Sequence, residues 1–231
     1  MTSEQAIIDG LCHHLIIEHI IDSGRAPSLA LLAHAAGIAA DDVKDSLSRL
    51  HEKHGLVLHP NSHDVWVIHP FSLVPTLFYV ESGHRGWWAP CIWCALGITV
   101  LTGNHATIHT RVGGETGELA LRVRDGIFQP EGCVAHFPIP ASRAWDNVHR
   151  FCGSTLVFAC ADDVDGWCDR HGIKRGDVQP LSKVSKLAKV WYGGYRNRDW
   201  RKWTLDEARS HFAQVGLHGD SWQLPDRKGR F

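Results

Sequence analysis

The first fifty residues carry apolar positions at helical spacing. One stripe lies within residues 4–22, ends before Gly24, and consists of Ile7, Ile8, Leu11, Leu15, Ile16, Ile20 and Ile21. A second, short helix is expected between Ser28, which suits an N-cap, and Gly37, which suits a C-cap. Residues 39–55 indicate a third helix, whose apolar face consists of Val43, Leu47 and Leu50.

After these helices the pattern changes to alternation. Two short apolar runs, 56–58 and 65–67, flank a Pro-Asn-Ser-His turn and predict a β-hairpin. Three helices followed by a hairpin form the outline of a winged helix, so residues 1–70 are expected to be a winged-helix-like domain. The third helix, over 41–54, has four acidic and three basic residues, unlike a basic DNA-recognition face. We therefore expect no DNA partner for this domain.

The rest of the chain predicts a mixture of strands and helices. Residues 71–84 contain Pro75 and are interpreted as an extended linker. Residues 85–231 are expected to form a second domain. Its alternating segments, separated by Gly-containing turns, predict the strands ATIHTRV, ELALRV, GIFQP, CVAHFPI and STLVFACA. Its helical segments are RAWDNVHRFCG, DDVDGWCDRHG, LSKVSKLAKVWYGG and TLDEARSHFAQVG. The predicted fold class is therefore α+β.

Composition narrows the classes of function. The chain has 24 Lys and Arg against 25 Asp and Glu, a balance that gives no general attraction to nucleic acid or to an anionic membrane. No run reaches the length of about 18 apolar residues that a membrane span needs. The N-terminus lacks the basic start and apolar core of a signal peptide. Since seven cysteines cannot all pair, we expect reduced thiols and a cytoplasmic location.

Two cysteines lie in the most apolar stretch of the sequence. Cys91 and Cys94 are three positions apart behind Pro90, a residue that suits the first turn of a helix. On that helix both thiols share one face. Free N–H groups and the helix dipole lower the pKa of a thiol in a first turn, and thiolates are ligands for soft metals. Alternatively, the two cysteines serve only as small buried apolar residues, or they form a redox pair. The Pro-rich segment before Cys91 disfavours the redox pair.

The remaining cysteines differ in their expected roles. Cys12 and Cys168 fall in predicted helices, and Cys160 ends an apolar strand, so core packing is expected for all three. The surroundings of Cys133 leave its role open. Cys152 lies where a helix meets a strand, beside Gly153, whose lack of a side chain lets another group approach.

Two motifs containing these cysteines resemble those of the alkylmercury lyases. The first is Trp88-Ala89-Pro90-Cys91-Ile92-Trp93-Cys94-Ala95-Leu96. The second is Phe151-Cys152, followed by a hydrophobic strand and a Trp-containing helix. Segments before the first motif and at the C-terminal end are similar to the actinobacterial branch of that family. The resemblance implies a winged-helix-like N-terminal domain and an alkylmercury lyase type of catalytic domain over 85–231.

The resemblance also implies a reaction and roles for three thiols. Family members break a carbon–mercury bond by protonolysis, with two thiolates on the mercury. Carried over, Cys91 is the first thiol and Cys152 the second. The aspartate that delivers the proton in the family falls on Cys94. A second register places that aspartate on Gly97 but loses the match at Trp88-Ala89.

These implications define three hypotheses. The first is an enzyme of the alkylmercury lyase type, with Cys91, Cys94 and Cys152 as catalytic and mercury-binding residues, a small organometallic substrate and no cofactor. The second is a thiol protein that binds soft metal ions such as mercury or copper without turnover. The third is a winged-helix regulator whose thiols sense metal or redox state. The first two require the three thiols to meet in one pocket.

Overall fold

A computed structural model describes residues 2–103, 105–225 and 231 of the chain. Within them lie eight α-helices: α1 (Ser3–Ser23), α2 (Leu29–Ala36), α3 (Ala40–Glu52), α4 (Ile92–Thr102), α5 (Val148–Ser154), α6 (Ala161–His171), α7 (Leu181–Tyr192) and α8 (Leu205–Gln214). The ends of these helices follow local capping chemistry. Gly24 and Gly37 close α1 and α2 in the left-handed conformation, and the Thr204–Glu207 capping box opens α8.

Eight strands form one antiparallel sheet. In chain order they are β1 (Val57–Leu58), β2 (Val65–Ile68), β3 (Phe71–Ser72), β4 (Phe78–Ser82), β5 (Arg85–Ala89), β6 (His105–Arg111), β7 (Glu118–Arg124) and β8 (Ile127–Gln129). Across the sheet their order is β1-β2-β3-β5-β4-β6-β7-β8. Val57 pairs with Val67 in the first hairpin, and Tyr79 pairs with Trp88 in the hairpin of β4 and β5. The second hairpin delivers the chain directly to the start of α4.

Three more strands form a small antiparallel sheet. They are β9 (Val134–Phe137), β10 (Leu156–Phe158) and β11 (Asp177–Pro180), and β9 lies in the middle. Strand β10 follows α5 after a single residue, so the small sheet fixes the C-terminal end of that short helix.

Helix α4 lies at the centre of the molecule. It packs against β3, β4, β5 and β6 on one side and against α7 on the other. Such a position explains why its sequence is apolar all round rather than on one stripe. At Gly97, a Cβ atom would come within 2.4 Å of the Tyr192 ring and 3.0 Å of Pro70, so a glycine is required for this close approach. The centre of the fold thus joins the large sheet, α4 and α7.

The fold agrees with much of the predicted organisation. The mixed α and β character is confirmed, and three helices followed by a hairpin are observed in 1–70. The winged-helix assignment and the domain boundaries stay predictions. The segment interpreted as a linker, 71–84, contains β3 and β4 inside the large sheet. Pro75 lies between these two strands rather than within either, so it interrupts no ladder of hydrogen bonds.

Candidate active site

The first cysteine of the apolar run lies just outside its helix. Cys91 is the N-cap of α4, with φ −158° and ψ 175°, and its Sγ accepts a hydrogen bond of 3.4 Å from the backbone N–H of Cys94. The expectation that Pro90 and Cys91 belong to the first helical turn is therefore wrong, because α4 begins only after Cys91. The N-cap faces the free N–H groups more directly than a first-turn residue does, so the argument for a stabilised thiolate becomes stronger.

The second motif reaches the same point through α5. Asn147 caps this short helix by accepting the N–H of Arg150 at 3.0 Å, which also breaks the predicted helix over 143–153 into a 3₁₀ turn and α5. Where α5 ends, the carbonyl of Thr155 accepts a hydrogen bond of 3.5 Å from the N–H of Ile92. This bond ties the end of α5 to the start of α4, and it brings Cys152 next to Cys91.

All three predicted site cysteines line one cavity. Cys91, Cys94 and Cys152 are 0%, 2% and 5% exposed. The cavity offers about 30 Å³ to the centres of water molecules, enough for one or two waters. Most of its other lining is aromatic: Trp93, Trp145, Phe151, Trp191, Tyr192, Tyr195 and Phe231. The three thiols therefore share an apolar chamber, which we call the thiol chamber.

Hydrogen bonding within the thiol chamber shifts the pKa values of the three cysteines in different directions. Burial alone would raise the pKa of Cys91, but hydrogen bonds from the thiols of Cys152 and Cys94 and from backbone N–H groups lower its pKa well below the ordinary value. Donating to Cys91 raises the pKa of Cys152 well above its ordinary value. For Cys94, burial is the main cause of a strongly raised pKa. Cys91 is thus the cysteine of the three that gives up its proton most readily.

A histidine and a tyrosine complete the polar surroundings of the thiols. His69 Nε2 lies 3.8 Å from Cys152 Sγ, and the Tyr192 hydroxyl lies 3.4 Å from Cys94 Sγ. The ligand atoms of His69, Cys94 and Cys152 all lie within 4.8 Å of one another. Burial, with Lys202 nearby, lowers the pKa of His69 to about 3, so its imidazole is neutral and able to bind a metal ion.

A lysine also lines the thiol chamber. Lys202 is only 6% exposed, and its Nζ lies 4.7 Å from the centroid of the Trp145 ring and 5.9 Å from that of Phe231. Both aromatic faces attract an ammonium group. Burial lowers the pKa of Lys202 from 10.5 to about 7, although the nearby sulfurs of Cys94 and Cys152 partly oppose this effect. Lys202 can therefore exchange a proton near neutral pH.

A match to a family model decides the family of the chain. The family model of the alkylmercury lyases matches residues 71–193, which is more than half of the chain. The chain belongs to the alkylmercury lyase family. Both cysteine motifs and the whole of α4 fall within the matched residues.

A solved structure supports the alkylmercury lyase fold. The crystal structure of the mercury-bound form of MerB2 superposes with a TM-score of 0.60 at 17% identity. The match covers 85% of this chain and 97% of the MerB2 chain. A comparison with curated protein sequences finds no match. No helix among the described residues is long and apolar enough to cross a membrane.

Three groups of the site escaped the sequence analysis. His69 and Lys202 lie outside the residues matched by the alkylmercury lyase family, and Tyr192 lies near their end. His69 directly follows a strand and precedes Pro70, a position with no metal-site spacing. Lys202 lies in the run Trp-Arg-Lys-Trp, where aromatic neighbours were the available signal.

The other candidate residues lie elsewhere. Two histidines that precede the second motif lie outside the chamber, since His149 packs on Trp66 and His136 lies beside Cys168. Cys160, expected in the core, is exposed because it caps the start of α6 at the protein surface.

Proposed function

We propose that this member of the alkylmercury lyase family cleaves organomercurials, with Cys91 and Cys152 as the two sulfur ligands of the mercury. The main support is the thiol chamber, in which three cysteines share a small cavity with a mostly aromatic lining. Mercury is a soft metal and prefers thiolate ligands. An apolar, aromatic lining also suits the hydrocarbon part of such a substrate.

The reaction balances without an oxidant or reductant. The Cys91 thiolate binds the mercury of an R–Hg⁺ cation, and Cys152 binds it after losing its proton to solvent. The carbon–mercury bond then breaks, and its electron pair takes up a proton to form R–H. Hydrocarbon leaves, while Hg(II) stays on the two sulfurs until thiols in solution remove it. Mercury is Hg(II) throughout.

The proposal places Cys94 at the position of the family aspartate. The alternative register would put that carboxylate at position 97. In this fold a Cβ atom there meets the ring of Tyr192 at 2.4 Å, so no aspartate side chain fits without moving α7. Packing therefore supports the register in which Cys94 replaces the aspartate.

One observation favours a second function, tight binding of Hg(II) without turnover. His69, Cys94 and Cys152 are close enough to bind one ion together, and Cys91 lines the same cavity. Three thiolates and an imidazole hold a soft ion more firmly than two thiolates do. In this second function the chain is a mercury trap.

Turnover separates the two functions. The reduced protein is mixed with excess methylmercury or phenylmercury and a small thiol. Released methane or benzene is measured by gas chromatography, and protein-bound mercury by native mass spectrometry. An enzyme releases several equivalents of hydrocarbon per chain. One bound organomercurial with no hydrocarbon supports the trap, and absence of both contradicts the site.

The N-terminal helices and hairpin are part of the proposal as a winged-helix-like module without DNA-binding function. Arg49 and Lys53, two of the basic residues counted in the third helix, lie 2.7 and 3.2 Å from the buried carboxylate of Asp9. These charges hold α3 against α1 and are poorly placed for phosphate contacts. A salt-dependent mobility shift of a duplex would contradict this part. The actinobacterial relationship and the cytoplasmic location also stay predictions.

A further inference from the structure

We propose that Lys202 is a catalytic residue that donates the proton to the carbon of the bound organomercurial. This inference rests on the proposed function, since it assigns the acid for the same reaction. It answers a chemical need, because a thiol stands where the family has its carboxylic acid. Burial raises the pKa of the Cys94 thiol well above its ordinary value, so this thiol is a much weaker acid than a carboxyl group.

The side chains around the thiol chamber leave few alternative acids. No Asp or Glu is among the described residues that line it. Burial raises the pKa of the Tyr192 and Tyr195 hydroxyls far above neutrality. His69 is neutral, because its pKa is lowered to about 3. Lys202 is the cationic side chain that lines the chamber, and its ammonium carries a proton acidic enough to be given up near neutral pH.

Lys202 also has a route by which it regains a proton. It lines a second cavity of about 80 Å³, which we call the outer cavity, on the side facing α1 and α3. Asp9, Lys53 and Arg201 lie in the lining of the outer cavity. A residue shared by two cavities can receive a proton on one side and deliver it on the other.

The proposed step balances as follows. The ammonium Nζ–H bond breaks, its proton moves to the carbon, and the electron pair of the carbon–mercury bond forms the new C–H bond. R–H and a neutral amine result, and Hg(II) stays on the sulfurs. The amine then regains a proton from solvent, which restores the ammonium. Among the described residues, the charged and titratable groups around Lys202 are Cys91, Cys94, Cys152, His69, Tyr192, Tyr195, His13, Asp9, Lys53 and Arg201.

The test is single-turnover release of benzene from phenylmercury bound to Lys202→Leu. Leucine removes the ammonium without adding a thioether, which methionine would place beside a soft metal. The matched control is Lys186→Leu on the exposed side of α7. A general acid contributes at least about 100-fold, so Lys202→Leu should lose that much rate while still forming the one-to-one phenylmercury adduct. The wild-type rate should fall as pH rises above neutrality, and Lys202→Leu should lack this limb.

A second variant separates proton donation from charge. Lys202→Arg keeps the positive charge, but a guanidinium gives up no proton near neutral pH. We expect it to be slow. A fast Lys202→Arg variant, or a Lys202→Leu variant with the wild-type rate and pH profile, overturns the inference while the lyase function stands. If wild type itself binds phenylmercury and releases no benzene, the proposed function fails first. Intact circular dichroism and adduct formation show that each variant is folded.

Discussion

Two buried cysteines each lie beside a histidine, yet their surroundings differ completely. Cys152 Sγ is 3.8 Å from His69 Nε2, and Cys168 Sγ is 3.9 Å from His136 Nε2. The first pair faces the thiol chamber, where Cys91 and Cys94 join it. The second pair packs against Trp167, and its imidazole is already engaged with the carbonyl of Arg175. A Cys–His contact therefore indicates a site only when further ligands and an open space accompany it.

The largest expected effect comes from removing a sulfur of the first pair or its partner thiolate. Cys91→Ser and Cys152→Ser should each reduce hydrocarbon release below detection, because each removes a soft ligand that a hydroxyl cannot replace. Cys168→Ser is the matched control in the second pair and should turn over at the wild-type rate. Gas chromatography of released benzene measures all three. Loss of activity in Cys168→Ser with the fold intact would show that the second pair also takes part.

A smaller but distinctive effect is expected from introducing a new acid into the thiol chamber that the first pair faces. In the Lys202→Leu background, Cys94→Asp introduces a carboxylic acid at the position proposed to correspond to the family aspartate. It should recover about 10²-fold or more of the lost rate, which is the usual contribution of a general acid. In the wild-type background the same change should mainly speed the release of Hg(II), because one mercury ligand is gone. Single-turnover benzene release and Hg(II) transfer to a thiol measure the two effects. A double variant no faster than Lys202→Leu would separate position 94 from proton delivery.

The buried charge near the first pair should also affect stability. Because burial lowers the pKa of Lys202 from 10.5 to about 7, the unfolded chain binds more protons than the folded chain between these pH values. The free energy of unfolding should therefore rise with pH in this window, relative to Lys202→Leu, by at most about 1.4 kcal/mol per pH unit. Urea unfolding across the window measures the difference. Lys186→Leu should run parallel to wild type, and a parallel Lys202→Leu curve would mean that the lysine pKa is ordinary.

The smallest effect concerns which thiol reacts first. Limiting methylmercury should collect on the cysteines of the thiol chamber and leave Cys168 unmodified, because the chamber offers three sulfurs to one ion. Iodoacetamide should instead modify Cys160 first, since this thiol is exposed and the chamber cysteines are buried. Peptide mass spectrometry after denaturation reads both patterns. Methylmercury spread evenly over all seven cysteines would remove the distinction between the two pairs.

The sequence predicted local features well and long-range ones poorly. Gly24, Ser28 and the Thr204–Glu207 pair marked helix ends correctly, because capping depends on residues a few positions apart. The meeting of Cys91 and Cys152 was expected only through the resemblance to a family, since 61 residues separate them.

The polar groups around the thiols show the limit most clearly. His69 comes from the end of β2, and Lys202 comes from the segment between α7 and α8. Neither position has a local pattern, because burial and a shared cavity are properties of the assembled fold. The exposure of Cys160 was missed for the same reason. The apolar strand before it ends sooner than the hydrophobic pattern indicates, which leaves Cys160 outside the strand.

The limits of the family match bear on which parts of such a chain can change during evolution. Residues 71–193 contain the thiols, whereas His69 and Lys202 lie just outside, on opposite flanks. Under the proposed assignment, the three sulfur ligands come from the matched segment, while the histidine and the proposed acid come from its two flanks. Substitutions in a flank can therefore change the proton donor and leave the three thiols in place. A cysteine at position 94 is compatible with turnover in this proposal because a flank supplies the proton.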